Sequence, residues 1–169
     1  MSNNTQQPLR LELADQPEDV REAVLECEVR GRRTLFTRSG RPVALLMSWD
    51  EYLALTETVS LGGRPELLER IRAGEAALEA GRAGAAGAER RVWVAETAAS
   101  ALEDGRRAEI DAGLEVLAGN AIAGVPLLDP LRGFWSYRSE ALRIVYRMTR
   151  EGDVGVVDIG WVAEDGSER

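Results

Sequence analysis

Lysine and histidine are both missing from this 169-residue chain, and all 21 basic residues are arginine. Without histidine the chain lacks the commonest general base near neutral pH and the commonest zinc ligand, so neither a metal nor a cofactor is expected. The single cysteine, Cys27, excludes an internal disulfide, and its place on an apolar helical face predicts a buried structural thiol. No apolar run approaches the ~18–20 residues that span a bilayer. The opening "MSNNTQQPLR" has no charged region leading into an apolar one, so no signal peptide is read there. A cytoplasmic protein with no membrane partner is the expectation. Positive charge is also scarce: the net charge is −8. Both halves share the deficit, with ten Arg against fourteen acids in residues 1–80 and eleven against fifteen in residues 81–169. Contact with nucleic acid would need a local arginine patch working against the overall field.

What remains is ordinary globular material, 44% hydrophobic and 30% charged. Its clearest seam is "EAGRAGAAGAER", Glu79 to Arg90, where Ala and Gly dominate and no large apolar residue occurs. Such composition reads as a flexible connector. Four segments follow: a domain over 1–60, a helix within 61–80, a linker over 81–89 and a second domain over 90–169.

In the first domain "LRLEL" alternates like a short strand. "DQPEDVREAVLECEVRG" then predicts a helix, with Asp15 and Glu18 spaced as a capping box and Pro17 in the first turn. Val20, Ala23, Val24 and Cys27 share one face, and Gly31 stops the helix. "TLFTRSGRPVALLM", Thr34 to Met47, reads as a hairpin: Gly40 supplies the positive φ, Pro42 stiffens the exit, and Arg38 and Arg41 stand at a rigid tip. Ser48 and Glu51 form a second capping box, with Tyr52 and Leu55 behind it. "RPELLERIRAGEAALEAG" follows, its seam of Leu67, Ile71, Gly74 and Leu78 in need of a covering surface.

The second domain reads β-α-α-β-β-β. Its strands are "RRVWVAE", "FWSYR", "ALRIVYRMT" and "DVGVVDIGWV". Its helices are a short one begun by Thr97 and a longer one with Ile110, Leu114 and Leu117 on one side. Two helices on a mainly antiparallel sheet make an α+β domain. Alternation puts Trp135 and Tyr137 on one face and Phe134 on the other, and sets Tyr146 opposite Arg143, so these aromatics are expected in cores.

Residues from about 9 to 81 resemble the Phd/YefM-type antitoxins through "VREAVLECEV", "TLFTRSGRPVALLMSWDEYLAL" and "ETVSLGGRPELLERIRAGEAALEAG". Residues from about 90 to 162 resemble the RelE/ParE-type toxins through "PLRGFWSYRSEALRIVYRM". The first resemblance implies a homodimer that binds operator DNA through Arg10 on the first strand, Arg21 on the helix, and Arg38 and Arg41 at the hairpin. It also implies a toxin-covering helix carrying Leu67, Leu68, Ile71 and Leu78. The second implies a basic sheet face, to which Arg143 corresponds, with Arg147 sharing its strand face and Arg138 on the strand before. Phe134 and Ser136 stand where active members carry lysines, and "DIGWVAEDGSER" lacks the basic residue and the tyrosine expected near that end. The joint implication is a single-chain antitoxin–toxin fusion, an autorepressor whose toxin half is self-neutralised, by the helix of its own chain or across the dimer, and catalytically impaired. The alternatives are a latent ribosome-dependent mRNA endoribonuclease released by linker proteolysis, and a gyrase-binding module held inactive.

Overall fold

The computed structural model describes residues 10–86, 92–103, 106–149 and 152–162. The chain is α+β and divides into two compact units, Met1–Tyr52 and Leu53–Arg169. The sequence places the joint at the Ala/Gly segment over 81–89; the division falls about thirty residues earlier, inside a helix.

The first unit begins with a single 3-10 turn, Leu13–Asp15, where the alternation of "LRLEL" suggests a strand. Alternation alone does not make a strand without a partner, and the only sheet of this unit among the described residues is a two-stranded hairpin. Arg10 consequently lies in exposed irregular chain. Helix α1 (Glu18–Arg30) starts from Pro17 without a side-chain cap, because Asp15 is spent in the 3-10 turn; the Asp15–Glu18 capping box does not form. The helix ends at Gly31 in the left-handed conformation, φ 64°, whose N–H closes on the Cys27 carbonyl. Val20, Ala23 and Val24 are half-buried and Cys27 is buried, the face that the spacing indicates. Strands β1 (Thr34–Arg38) and β2 (Arg41–Leu46) are joined by Ser39 and Gly40, both at positive φ. A two-residue turn of that hand matches the twist of a hairpin. Arg33 at its base is ion-paired to Glu51.

Helix α2 (Trp49–Gly62) opens with the Ser48 hydroxyl accepting the Glu51 N–H, half of the expected capping box. In the second unit it continues into α3 (Pro65–Glu79), which has Pro at its first turn. The six-stranded sheet runs β3-β4-β8-β7-β6-β5, all antiparallel except the β4–β8 pair. Its members are β3 (Ala83–Ala86), β4 (Val92–Ala95), β5 (Val125–Pro126), β6 (Phe134–Ser139), β7 (Leu142–Met148) and β8 (Val154–Trp161). The short α4 (Glu96–Ala99) and α5 (Arg107–Gly119) complete the unit. Strand β3 lies within the segment expected to be a linker. Backbone pairing asks nothing of side chains, so an Ala/Gly run can add to the free edge of β4. Residues 87–89 of that segment lie outside the described residues.

Both faces of the sheet are covered. On one, Ile110, Leu114 and Leu117 of α5 bury against Ile144, Tyr146, Val156 and Ile159, with Trp135 and Tyr137 at the margin. On the other, Leu61, Leu67 and Ile71 bury against Leu127, Leu131, Val145 and Val157, with Leu68, Leu78 and Phe134 beside them. The seam on α3 thus meets the sheet of the C-terminal half. Tyr146 is fully buried; its hydroxyl donates to the Ala121 carbonyl at 2.8 Å and accepts from the Gly124 N–H at 3.2 Å.

Candidate functional site

On β7 the side chains alternate, so Arg143, Val145 and Arg147 point to the α3 side, and Ser136 and Arg138 join them from β6. Helices α2 and α3 answer with acids. Glu57 is buried on α2 and receives the Ser136 hydroxyl at 2.8 Å and the Arg138 guanidinium at 3.2 Å. Arg147 donates to Glu75 at 2.9 Å and to Glu79 at 3.4 Å, carboxylates one helical turn apart on α3. Pairing also runs the other way: Arg70 of α3 forks onto Asp158 of β8 at 2.8 and 3.0 Å. That fork raises the Arg70 pKa, chiefly through the hydrogen bonds themselves. The Thr58 hydroxyl accepts the Leu128 N–H at 2.8 Å and donates to the Ala54 carbonyl.

Arg143 is the centre of the arrangement, 1% exposed. Burial pushes its pKa down to about 10, and the nearby charges of Glu57 and Asp158 oppose that fall. An arginine so placed is held charged by its carboxylate neighbours and screened from any outside phosphate. The three arginines singled out in the sequence therefore share one face, and helices α2 and α3 lie over it.

Close approach makes the cover possible. The β7–β8 register slips at Val145, leaving Val157 as an extra residue in β8. Gly74 of α3 sits against it, where a Cβ would stand 2.0 Å from the Val157 carbonyl oxygen. Gly155 gives similar room to Leu78. At the far end of β8 the Arg106 guanidinium lies 4.7 Å over the Trp161 ring.

The second arginine set lies on the first unit. Arg38 and Arg41 are direct partners across the hairpin tip, both exposed, and no ion pair involves either among the described residues. Like charges facing each other across a strand pair are mutually unfavourable, and an anion between them reverses the sign. Arg21 is exposed on α1. In the same unit Val29, Leu35, Val43 and Trp49 are each more than half exposed. Exposed apolar side chains are what an association between copies would bury.

Comparison with family models, with curated proteins and with solved structures finds no match.

Several of these residues are not evident from sequence. Glu57 gives one signal, an acid on the buried side of α2 in line with Ala54, Thr58 and Leu61. Glu75, Glu79, Arg70 and Asp158 give none, since charges on helices and strands usually face water. Among the described residues no helix is long and apolar enough to cross a membrane.

Proposed function

We propose that the chain is a single-chain antitoxin–toxin fusion acting as a DNA-binding autorepressor, its RelE/ParE-like domain silenced by its own antitoxin-like helices. One observation carries the reading. The segment that the Phd/YefM resemblance marks as toxin-covering, together with the end of α2 just before it, supplies Glu57, Glu75 and Glu79. These carboxylates meet Arg138 and Arg147 of the face that the RelE/ParE resemblance marks as functional. Two independent resemblances thus converge on one set of ion pairs. Arg143, buried between them, argues for a silenced face over a nuclease awaiting linker cleavage.

The DNA-binding part rests on the Arg38–Arg41 tip, with Arg21 as a further contact, and on the exposed apolar side chains as the dimer interface. A dimer doubles the tip and suits a palindromic operator. The test is a titration of the full chain against DNA from immediately upstream of its own coding region, across a salt series. Binding should weaken on Arg38→Ala, and the log–log salt slope should fall by about 0.9 for each phosphate no longer neutralised. Binding that is absent, or indifferent to Arg38 and Arg41 together, would remove the DNA-binding reading.

A further inference from the structure

Strand β3 ends opposite the start of β4, with Ala86 paired to Val92, and only residues 87–91 join them. Five linking residues reach at most roughly 20 Å. A strand tethered so closely to its neighbour is delivered to the β4 of its own chain. Upstream of it, Leu61, Leu67, Ile71 and Ala77 are all at most 1% exposed, three of them in the apolar cluster under the sheet and Ala77 in the cluster on its other side. The carboxylate and arginine pairs come on top of that apolar contact.

We propose that residues 53–86 form one docking unit, helices and edge strand together, that fills a site on the sheet of its own chain and stays seated when the chain is cut at 87–91. The proposal rests on reading these residues as the cover of the arginine face. The site on the sheet has three parts: the apolar patch of Leu127, Leu131, Val145 and Val157, the ionic row of Arg138, Arg147 and Asp158, and the edge of β4 that β3 pairs with. Its partner is a helix–strand segment bearing acids and a fork-donating arginine, supplied in cis. Covering is then constitutive. Cutting the connection, which would free a toxin held by a simple tether, leaves this one covered. Because salt screens the ion pairs and not the apolar contact, high salt leaves the segment in place as well.

The test uses the full chain with a protease recognition sequence inserted at 87–91. After cleavage, the two fragments should co-elute on gel filtration at low salt and in 1 M salt, and still do so after dilution to about 50 nM, as a Kd in the low-nanomolar range or below requires. Separation of the fragments would overturn the proposal. A second variant needs no insertion: Glu75→Cys/Arg147→Cys in a Cys27→Ala background, treated with a short thiol cross-linker. A cross-linked product of single-chain mass is expected, and a covalent dimer would overturn the assignment in cis. Operator binding by the cleaved protein separates the two readings. Co-eluting fragments that do not bind DNA would sink the autorepressor reading and leave the docking unit standing; separated fragments with binding retained would do the reverse.

Discussion

Gly74→Ala sets two effects of known sign against each other. Within a helix, Ala is favoured over Gly by about 1 kcal/mol, so propensity alone makes the change stabilising. The structure opposes it. The new Cβ would lie 2.0 Å from the Val157 carbonyl oxygen, 2.7 Å from its carbon and 2.8 Å from its Cα, whereas ordinary contact begins near 3.4 Å. All three atoms are backbone, so no side chain can rotate away, and α3 must retreat from the sheet by more than about 1 Å. A gap of that size forfeits roughly a quarter to a half of each dispersion interaction it opens. Leu67 and Ile71 lie on the same face and are drawn away from Val145 and Val157. Overpacking costs about 1–3 kcal/mol and occasionally more, and three backbone atoms inside 3.0 Å put this site at the upper end, so after the gain in propensity the net expectation is a loss of about 2 kcal/mol. Urea unfolding followed by tryptophan fluorescence reads it: Trp93, Trp135 and Trp161 report the second unit, and Trp49→Phe silences the first. With a slope of about 1–2 kcal/mol/M, the midpoint should fall by roughly 1 M. Gly62→Ala is the control, since nothing lies within 4 Å of a Cβ there. A midpoint for Gly74→Ala that is unchanged or raised would refute the close approach of α3 to β8.

Glu57→Ala should cost about 3–5 kcal/mol in the same assay, because it strands Arg138 and strips Arg143 of its largest compensating charge. A loss under about 1 kcal/mol would mean that the buried carboxylate does not hold the two arginines. Arg143→Met should cost less than Glu57→Ala at pH 7, because Glu57 and Asp158 keep Arg138 and Arg70 as partners while the cost of burying the guanidinium is removed. A depressed base binds fewer protons folded than unfolded, so that cost shrinks only as pH rises from about 10 upward; a loss at neutral pH as large as that of Glu57→Ala would contradict the reading. Tyr146→Phe should lose about 1–3 kcal/mol at neutral pH through its two hydrogen bonds. Burial raises the Tyr146 pKa, so the unfolded phenol ionises first and wild-type stability falls as pH climbs past the ordinary tyrosine value; the variant should lack that slope in urea midpoints taken between about pH 8 and 11.

What could be read from the residues was local and periodic. Alternation in β6, β7 and β8 put Trp135 and Tyr137 on one face and Phe134 on the other, and each face has its own core. The 3.6-residue spacing marked the buried side of α1, α3 and α5, and Gly31 marked a helix end. Missing from such patterns was whatever depends on a partner far along the chain. "LRLEL" has the alternation of a strand and no strand beside it. "RAGAAG" has the composition of a linker and pairs because β4 offers an edge. Gly74 reads as a weak point in a helix until Val157, 83 residues later, turns out to need the space. The acids of α2 and α3 are indistinguishable in sequence from solvated helix charges, and only the sheet gives them partners.

Strand order carries a consequence for synthesis. Among the described strands β8 is made last, yet it sits in the middle of the sheet, between β4 and β7. Until it inserts, the β6–β7 pair bearing Arg138, Arg143 and Arg147 is not joined to β4 at all. By then residues 53–86 have long since left the ribosome, because the chain emerges from its N-terminus. The arginine face is therefore covered from the moment it is completed. Two separately translated chains would leave an interval in which a finished face waits for its cover, and the order of elements in this one removes that interval.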